Sequence, residues 1–198
     1  MTRIIALGAA ATLLAACSSE QSGAADQATP ETMAEAPAHA LPAPENDVPG
    51  RAYRHTSLAG CEVVREEHEE MPFVETLCPG PAGWALRVTD SDARQNLVVV
   101  VPGGLEASLE LSRIGGGGFS SLGETAEWRG PAGPDFAPDS LIVRYNVVED
   151  PESNVEVSYL LPVRLAQAPC VIGKVAPGAA QNARARDIAD AGGTCLID

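Results

Sequence analysis

Val155, Val157, Tyr159, Leu161, Val163 and Leu165 occupy alternate positions, with Glu156, Ser158 and Arg164 between them. A two-residue period of this kind places one face of a strand in a core and the other towards water. Leu141, Val143, Tyr145 and Val147 repeat the pattern just upstream. Asp150, Pro151, Glu152, Ser153 and Asn154 supply turn residues between the two runs, which predicts an antiparallel hairpin. Pro162 has no amide hydrogen to give a ladder, so it predicts an edge or a bulge. Cys61–Arg65, Phe73–Cys78, Trp84–Thr89, Gln95–Val101, Thr125–Arg129 and Cys170–Val175 read as further strands. Gln95–Val101, nearly continuous in Leu and Val, is expected to be buried on both faces.

The three-to-four-residue period appears late in the chain. Ala179–Ala191 is rich in alanine, contains no Gly or Pro and stops at Gly192 and Gly193, as a helix does. Its expected buried stripe is Ala180, Ala183, Ile188 and Ala191. Between Pro102 and Leu122 the pattern is ambiguous: Leu105, Leu109 and Ile114 suit a short helix, and Gly115–Gly118 reads as a loop.

A different organisation precedes the strands. Arg3 is followed by an apolar run, Ile4–Ala16, that ends in Leu14, Ala15, Ala16 and Cys17. The run is short for a membrane span and has the form of a cleaved export signal. The last four residues resemble the lipobox of bacterial lipoproteins, and the resemblance implies a thioether-linked diacylglycerol on Cys17, cleavage before it and acylation of the new amine. Several acyl chains on one residue anchor durably, where one alone is marginal. An ordinary secretory signal cut near Ala16 is the alternative. Ser18, in place of the Asp that favours inner-membrane retention, points by analogy with lipoprotein sorting to the periplasmic face of the outer membrane. Residues 17–50 then read as the lipidated cysteine and a disordered tether: rich in Ala and Pro, devoid of Lys and Arg, and too poor in apolar side chains to offset chain entropy. Residues 51–198 have a usual length for one domain.

Cysteine usage fits export. With Cys17 lipidated, Cys61, Cys78, Cys170 and Cys195 remain, an even number in an exported chain, and two disulfides are expected. The expected pairs are Cys61 with Cys78, flanking a hairpin, and Cys170 with Cys195, flanking a strand and a helix; each would stabilise by about 3 kcal/mol in the chain-entropy model. No CxxC and no histidine beside a cysteine supports a zinc site instead. The fold class that follows is α+β: a mostly antiparallel β-sheet with one C-terminal helix, braced by two disulfides.

The formal charge is −14. Residues 51–198 hold 12 of the 13 Lys and Arg and 21 of the 27 Asp and Glu, which leaves −9 on the domain. Such a surface repels phosphate backbones and anionic lipid headgroups and can draw in basic proteins or divalent cations, with solubility as the favoured account of the acidity; nucleic acid is not an expected partner.

Glu127, Trp128 and Arg129, then Leu141–Arg144, Leu161–Leu165, Cys170–Val175, and lastly Asn182–Arg184 with Ile188–Asp190, resemble a group of uncharacterised exported proteobacterial proteins in which a WR pair, an ILR-like strand, a C-x-V strand and an N-A-x-A-R helix ending in A-D recur. Cys78, Pro79, Gly80 and Gly83 are similar to the C-P-G-x-x-G turn of that group. The resemblance implies the domain limits and no chemistry.

The candidate chemistry is thin. Glu66, Glu67, His68, Glu69 and Glu70 offer metal donors, but neighbours on an extended chain point alternately, and a solvated hairpin tip is expected. Asp90, Ser91 and Asp92 begin like a calcium loop, yet Arg94 stands where an oxygen donor belongs; an Asp92–Arg94 surface pair is expected. Ser120, in Gly118–Gly123, lacks the flanking glycines of a nucleophile elbow. The Gly115–Gly118 run is followed by no GK[ST], so plain flexibility is expected there. Trp84, Trp128, Tyr145 and Tyr159 are expected in a core. No catalytic residue, cofactor or metal is expected. The expectation is a non-enzymatic binding or structural module, held to a membrane by Cys17 and meeting another periplasmic or cell-surface protein. The alternatives are an inhibitor of a cationic cell-wall hydrolase such as lysozyme, and a hydrolase using carboxylates or Ser120.

Overall fold

Residues 49–197, apart from Glu70 and Gln167, are described by a computed structural model. The expected signal, Cys17 and the tether lie outside the described residues. The elements are β1 (Arg51–Ser57), β2 (Glu62–Glu67), β3 (Phe73–Pro79), β4 (Ala85–Ser91), β5 (Arg94–Val100), β6 (Glu106–Ser108), α1 (Leu111–Gly115), β7 (Ser120–Pro131), β8 (Ser140–Val148), β9 (Glu156–Arg164), β10 (Cys170–Val171) and α2 (Gln181–Ala191).

All ten strands belong to one sheet, in the order β10-β9-β8-β7-β5-β4-β3-β2, with β1 beside β7 and β6 beside β5. The pairings are antiparallel, except where Arg94 of β5 meets Ser120 of β7 in parallel. The strand β7 changes neighbours along its length: Ser120 adjoins β5, while Thr125–Pro131 pair with β1. Its register against β8 shifts between Leu122 and Ala126, and an irregularity of this kind bends a strand.

The bend lets the sheet fold over itself. Leu86, Leu97 and Val99 from one half meet Trp128, Val143, Tyr145 and Leu161 from the other in a single core. The hairpin of β8 and β9 forms as predicted, from Ser140↔Arg164 to Val148↔Glu156. Its second face corrects the sequence reading. Leu160 and Ile142 do not face water; they are covered by Ala185, Ala189 and Ile188 of α2, with Val175 alongside. The helix accordingly buries Gln181, Ala185 and Ala189; of the expected stripe, Ile188 packs there half-buried, while Ala180 and Ala191 are exposed and Ala183 is half-buried. The strand β5 is corrected too: Leu97 and Val99 are fully buried, but Val98 and Val100 are only half-buried. Its outer face lies beside Arg87, which bonds to Glu75 and Glu106 and keeps that side polar.

Pro162 lies inside the sheet with its carbonyl accepting from the Ile172 amide at 2.8 Å. Register advances by one residue between Val171↔Val163 and Val175↔Leu160, so the missing donor falls at an irregularity, where it costs no ladder bond. At the opposite end, β2 is exposed along its whole length and carries a register shift between Val63 and Arg65. A shifted, glutamate-rich edge is a poor template for pairing with another chain.

Both expected disulfides form, Cys61–Cys78 and Cys170–Cys195. The first ties the start of β2 to a fully buried position on β3, and the second fastens the segment after α2 to β10.

The glycine run is more specified than a flexible loop. Gly116 and Gly117 take φ of +75° and +79°, which only glycine adopts freely. Gly115 sits against the Tyr145 ring, and a Cβ on Gly118 would lie 2.0 Å from the Val148 carbonyl oxygen. Backbone cannot yield as a side chain does, so Gly118→Ala is expected to destabilise by about 1–3 kcal/mol, read as a lowered urea midpoint at unchanged slope. A midpoint equal to wild type would show that β8 can move aside.

Candidate functional site

Charged residues recur on alternate positions of the sheet face under α2. In β1, Tyr53 and His55 lie opposite Arg129 and Glu127 of β7. The helix contributes Arg186 and Asp190, which, four residues apart, share one of its faces. Together they build a continuous chain of alternating charge. Asp139 accepts both Nη atoms of Arg51 at 2.6 Å. Asp190 Oδ1 accepts Nε of Arg51 at 3.0 Å and Nε of Arg129 at 2.9 Å, and its Oδ2 accepts Nη2 of Arg129 at 2.7 Å. Glu127 accepts Nη1 of Arg129 at 2.7 Å, and Nε and Nη2 of Arg186 at 3.1 and 2.9 Å. Arg129 is fully buried.

Burial by itself would raise the Glu127 and Asp190 carboxyls. The arginine hydrogen bonds outweigh it and hold both below the ordinary carboxylate range. The Arg129 guanidinium is pushed up, chiefly by its bonds to Asp190. A depressed carboxylate contributes stability that is complete above its unfolded pKa, about 4.3 for Glu and 3.9 for Asp, and is lost as pH falls through the folded value. Wild type and Asp190→Asn are therefore expected to differ most in Tm above about pH 5 and to converge below about pH 4. A gap constant from pH 7 to pH 2.5 would contradict this.

Beside the ion chain lies a cleft of about 200 Å³ lined by His55, Thr125, Glu127, Ile142, Arg144, Leu160, Asn182 and Arg186. Arg144 is held from behind: its Nη1 donates to Ser158 Oγ at 2.8 Å and more weakly to Gln181 Oε1 at 3.4 Å. Buried Gln181 is itself fixed by donating to the Ser158 and Val175 carbonyls. His55 Nε2 stands 3.5 Å from Glu127 Oε2.

A second cleft, of about 330 Å³, opens at the end of the core between the segment just after β1 and strands β3, β4, β5 and β7. Leu58, Val74, Val88 and Leu122 make its walls, and Thr76, Asp90, Gln95 and Glu124 its polar groups. Gln95 bridges it, donating to Asp90 at 3.1 Å and accepting from the Leu122 amide at 2.7 Å. Neither Asp90 nor Glu124 forms an ion pair among the described residues.

The residues singled out by sequence are dispersed around these clefts. Ser120 is buried in β7 near the Tyr145 hydroxyl, with no histidine or carboxylate bonded to it among the described residues. Glu67 pairs with Arg65, and Glu66 with His68 at 3.2 Å; Glu70 lies outside the described residues. No three His, Cys, Asp or Glu side chains gather into a metal-holding group among the described residues. Arg94 pairs with Asp92. Trp128 and Tyr145 are fully buried, and Trp84 and Tyr159 pack against the same core. The ion chain and both clefts were missed. The available signal was the pairing of polar residues at two-residue spacing in β1 and β7 with Arg186 and Asp190 at helical spacing. Arg129 of the WR pair, the arginine of the ILR-like strand and the two ends of the helix motif all meet there, while Trp128 turns into the core. No family model matches the chain, nor does any curated protein or solved structure.

Proposed function

We propose that the chain is a bacterial envelope lipoprotein, anchored through acyl chains on Cys17 to the periplasmic face of the outer membrane, whose domain is a non-enzymatic binding module for a basic protein. The observation that carries the binding half is the cleft at the end of the core, where apolar walls surround Asp90 and Glu124, two carboxylates without an arginine or lysine partner among the described residues. A protruding Lys or Arg side chain supplies both the apolar stem and the charge that such walls accept. The net charge of −14 extends the attraction beyond the cleft and speeds encounter with a cationic surface. Two disulfides fit an oxidising compartment.

The same acidity favours the inhibitor of a cationic hydrolase as a second reading. Calorimetry of the detergent-solubilised full chain with lysozyme as the basic probe tests both. Binding that weakens at least fivefold in Asp90→Asn/Glu124→Gln, and weakens with salt, supports the module; undiminished binding by that variant removes the cleft from it. Loss of lysozyme turnover at stoichiometric chain would convert the module into the inhibitor. Cys17→Ser should move the protein from the membrane to the soluble fraction, and continued sedimentation with membranes would refute the anchor.

A further inference from the structure

The cleft under α2 has the opposite character from the one at the end of the core. In the ion chain behind it, Arg51, Arg129 and Arg186 are paired with Asp139, Asp190 and Glu127. Arg144 is outside that pairing. No carboxylate pairs with it among the described residues, and its two hydrogen bonds, to Ser158 and Gln181, both use Nη1. Among the described residues its Nε and Nη2 have no partner, and neither does the Asn182 amide or the Thr125 hydroxyl, which line the same cleft. Ile142 and Leu160, both nearly fully buried, give the cleft an apolar wall. An uncompensated guanidinium, two neutral donors and an apolar surface thus meet in about 200 Å³ on a chain that is otherwise strongly acidic.

We infer that this cleft is a binding site for a small molecule carrying a carboxylate on a short apolar stem. The free edge of Arg144 presents two parallel N–H groups, the fork that matches a carboxylate. Asn182 and Thr125 donate to the remaining lone pairs, and the stem lies on Ile142 and Leu160. Glu127 does not oppose the ligand, because its two oxygens are already occupied by Arg129 and Arg186. The fixed ion chain holds β1, β7 and α2 in place, so the donors are set before the ligand arrives, which lessens the ordering cost of binding. This site is separate from the basic-protein cleft, and either can fail without the other.

The test is ligand-observed saturation-transfer NMR on the full chain in detergent, titrated with propionate and with propylamine, and with inorganic phosphate, which has no carbon-bound proton to observe, added as a competitor that displaces propionate if it binds the same site. Propionate is expected to saturate in the millimolar range and propylamine to give no signal. Arg144→Met, which keeps the stem and removes the charge, should weaken propionate at least tenfold, and Asn182→Ala, on the exposed side of the helix and without a bond to the core, about threefold. Circular dichroism of both variants separates loss of the site from loss of fold. Absence of propionate binding, unchanged affinity in both variants, or binding of phosphate in preference to propionate would overturn the inference.

Discussion

Asp190→Ala is expected to cost about 3 kcal/mol of folding free energy, the lower end for breaking a buried ion pair. The charge that loses most is Arg129, which is fully buried, gives Asp190 two of its donors and keeps Glu127 on Nη1 alone. Arg51 loses its Nε partner in the same substitution but keeps Asp139, so the loss concentrates on Arg129. Two charges taken out of water together are a different matter: an apolar pair of similar volume is often neutral or better. Arg129→Met/Asp190→Leu should therefore be more stable than Asp190→Ala alone, and Glu127 keeps Arg186 in that background. Urea denaturation of the three proteins decides. An Asp190→Ala variant within about 1 kcal/mol of wild type would show that water reaches Arg129 and that the ion chain is an exposed surface feature.

Trp128→Ala is expected to cost a similar amount, about 3–5 kcal/mol, for a different reason. The indole is fully buried between the folded halves of the sheet. It packs on Trp84 at 6.3 Å, and Gly80 comes so close that a Cβ there would lie 2.6 Å from the ring. Its Nε1 donates to Thr56 Oγ1 at 2.9 Å, and Thr56 donates to the Pro79 carbonyl at 3.2 Å. One side chain therefore joins β1, β7 and the turn after β3, and its removal leaves a cavity and one broken polar link. Trp128→Phe separates the two contributions, since it keeps most of the packing and loses the donor; about 1–2 kcal/mol is expected. Equal losses in Trp128→Ala and Trp128→Phe would mean that the hydrogen bond, and not the packing, matters at this position. Trp128 and Arg129 are adjacent, so the strand alternation sends one into the core and the other under the helix.

Elements whose own side chains carry the period were legible without the structure. The β8 and β9 hairpin, the strand hidden in Phe73–Cys78, the helix ending at Gly192 and both disulfides follow from local patterns of apolar residues, turn residues and paired cysteines. The strand β1 was not legible, because Arg51, Tyr53 and His55 on one face and Ala52, Arg54 and Thr56 on the other contain no aliphatic alternation. Its reason for being a strand is the neighbour it pairs with and the charges that meet there. The length of β7 was underestimated for a related cause: its first residues pair with β8 and touch β5 across a shifted register, and Gly123 and Glu124 within that shift look like turn residues. The clefts were illegible altogether, since Arg144, Asn182 and Thr125 come from three elements far apart in the chain.

Taken alone, the order of residues determined the secondary structure of most of the domain, the strand-rich class, the two cystine pairs and the acidity, since each depends on spacing over a few residues or on simple totals. Only the tertiary structure decided which polar residues are buried, where the sheet bends, and which arginines, Arg144 among them, have no carboxylate partner among the described residues. Those are relations between segments distant in sequence: whether Arg129 is a surface charge or a buried one depends on α2 bringing Asp190 to it, and nothing local to either residue specifies that meeting.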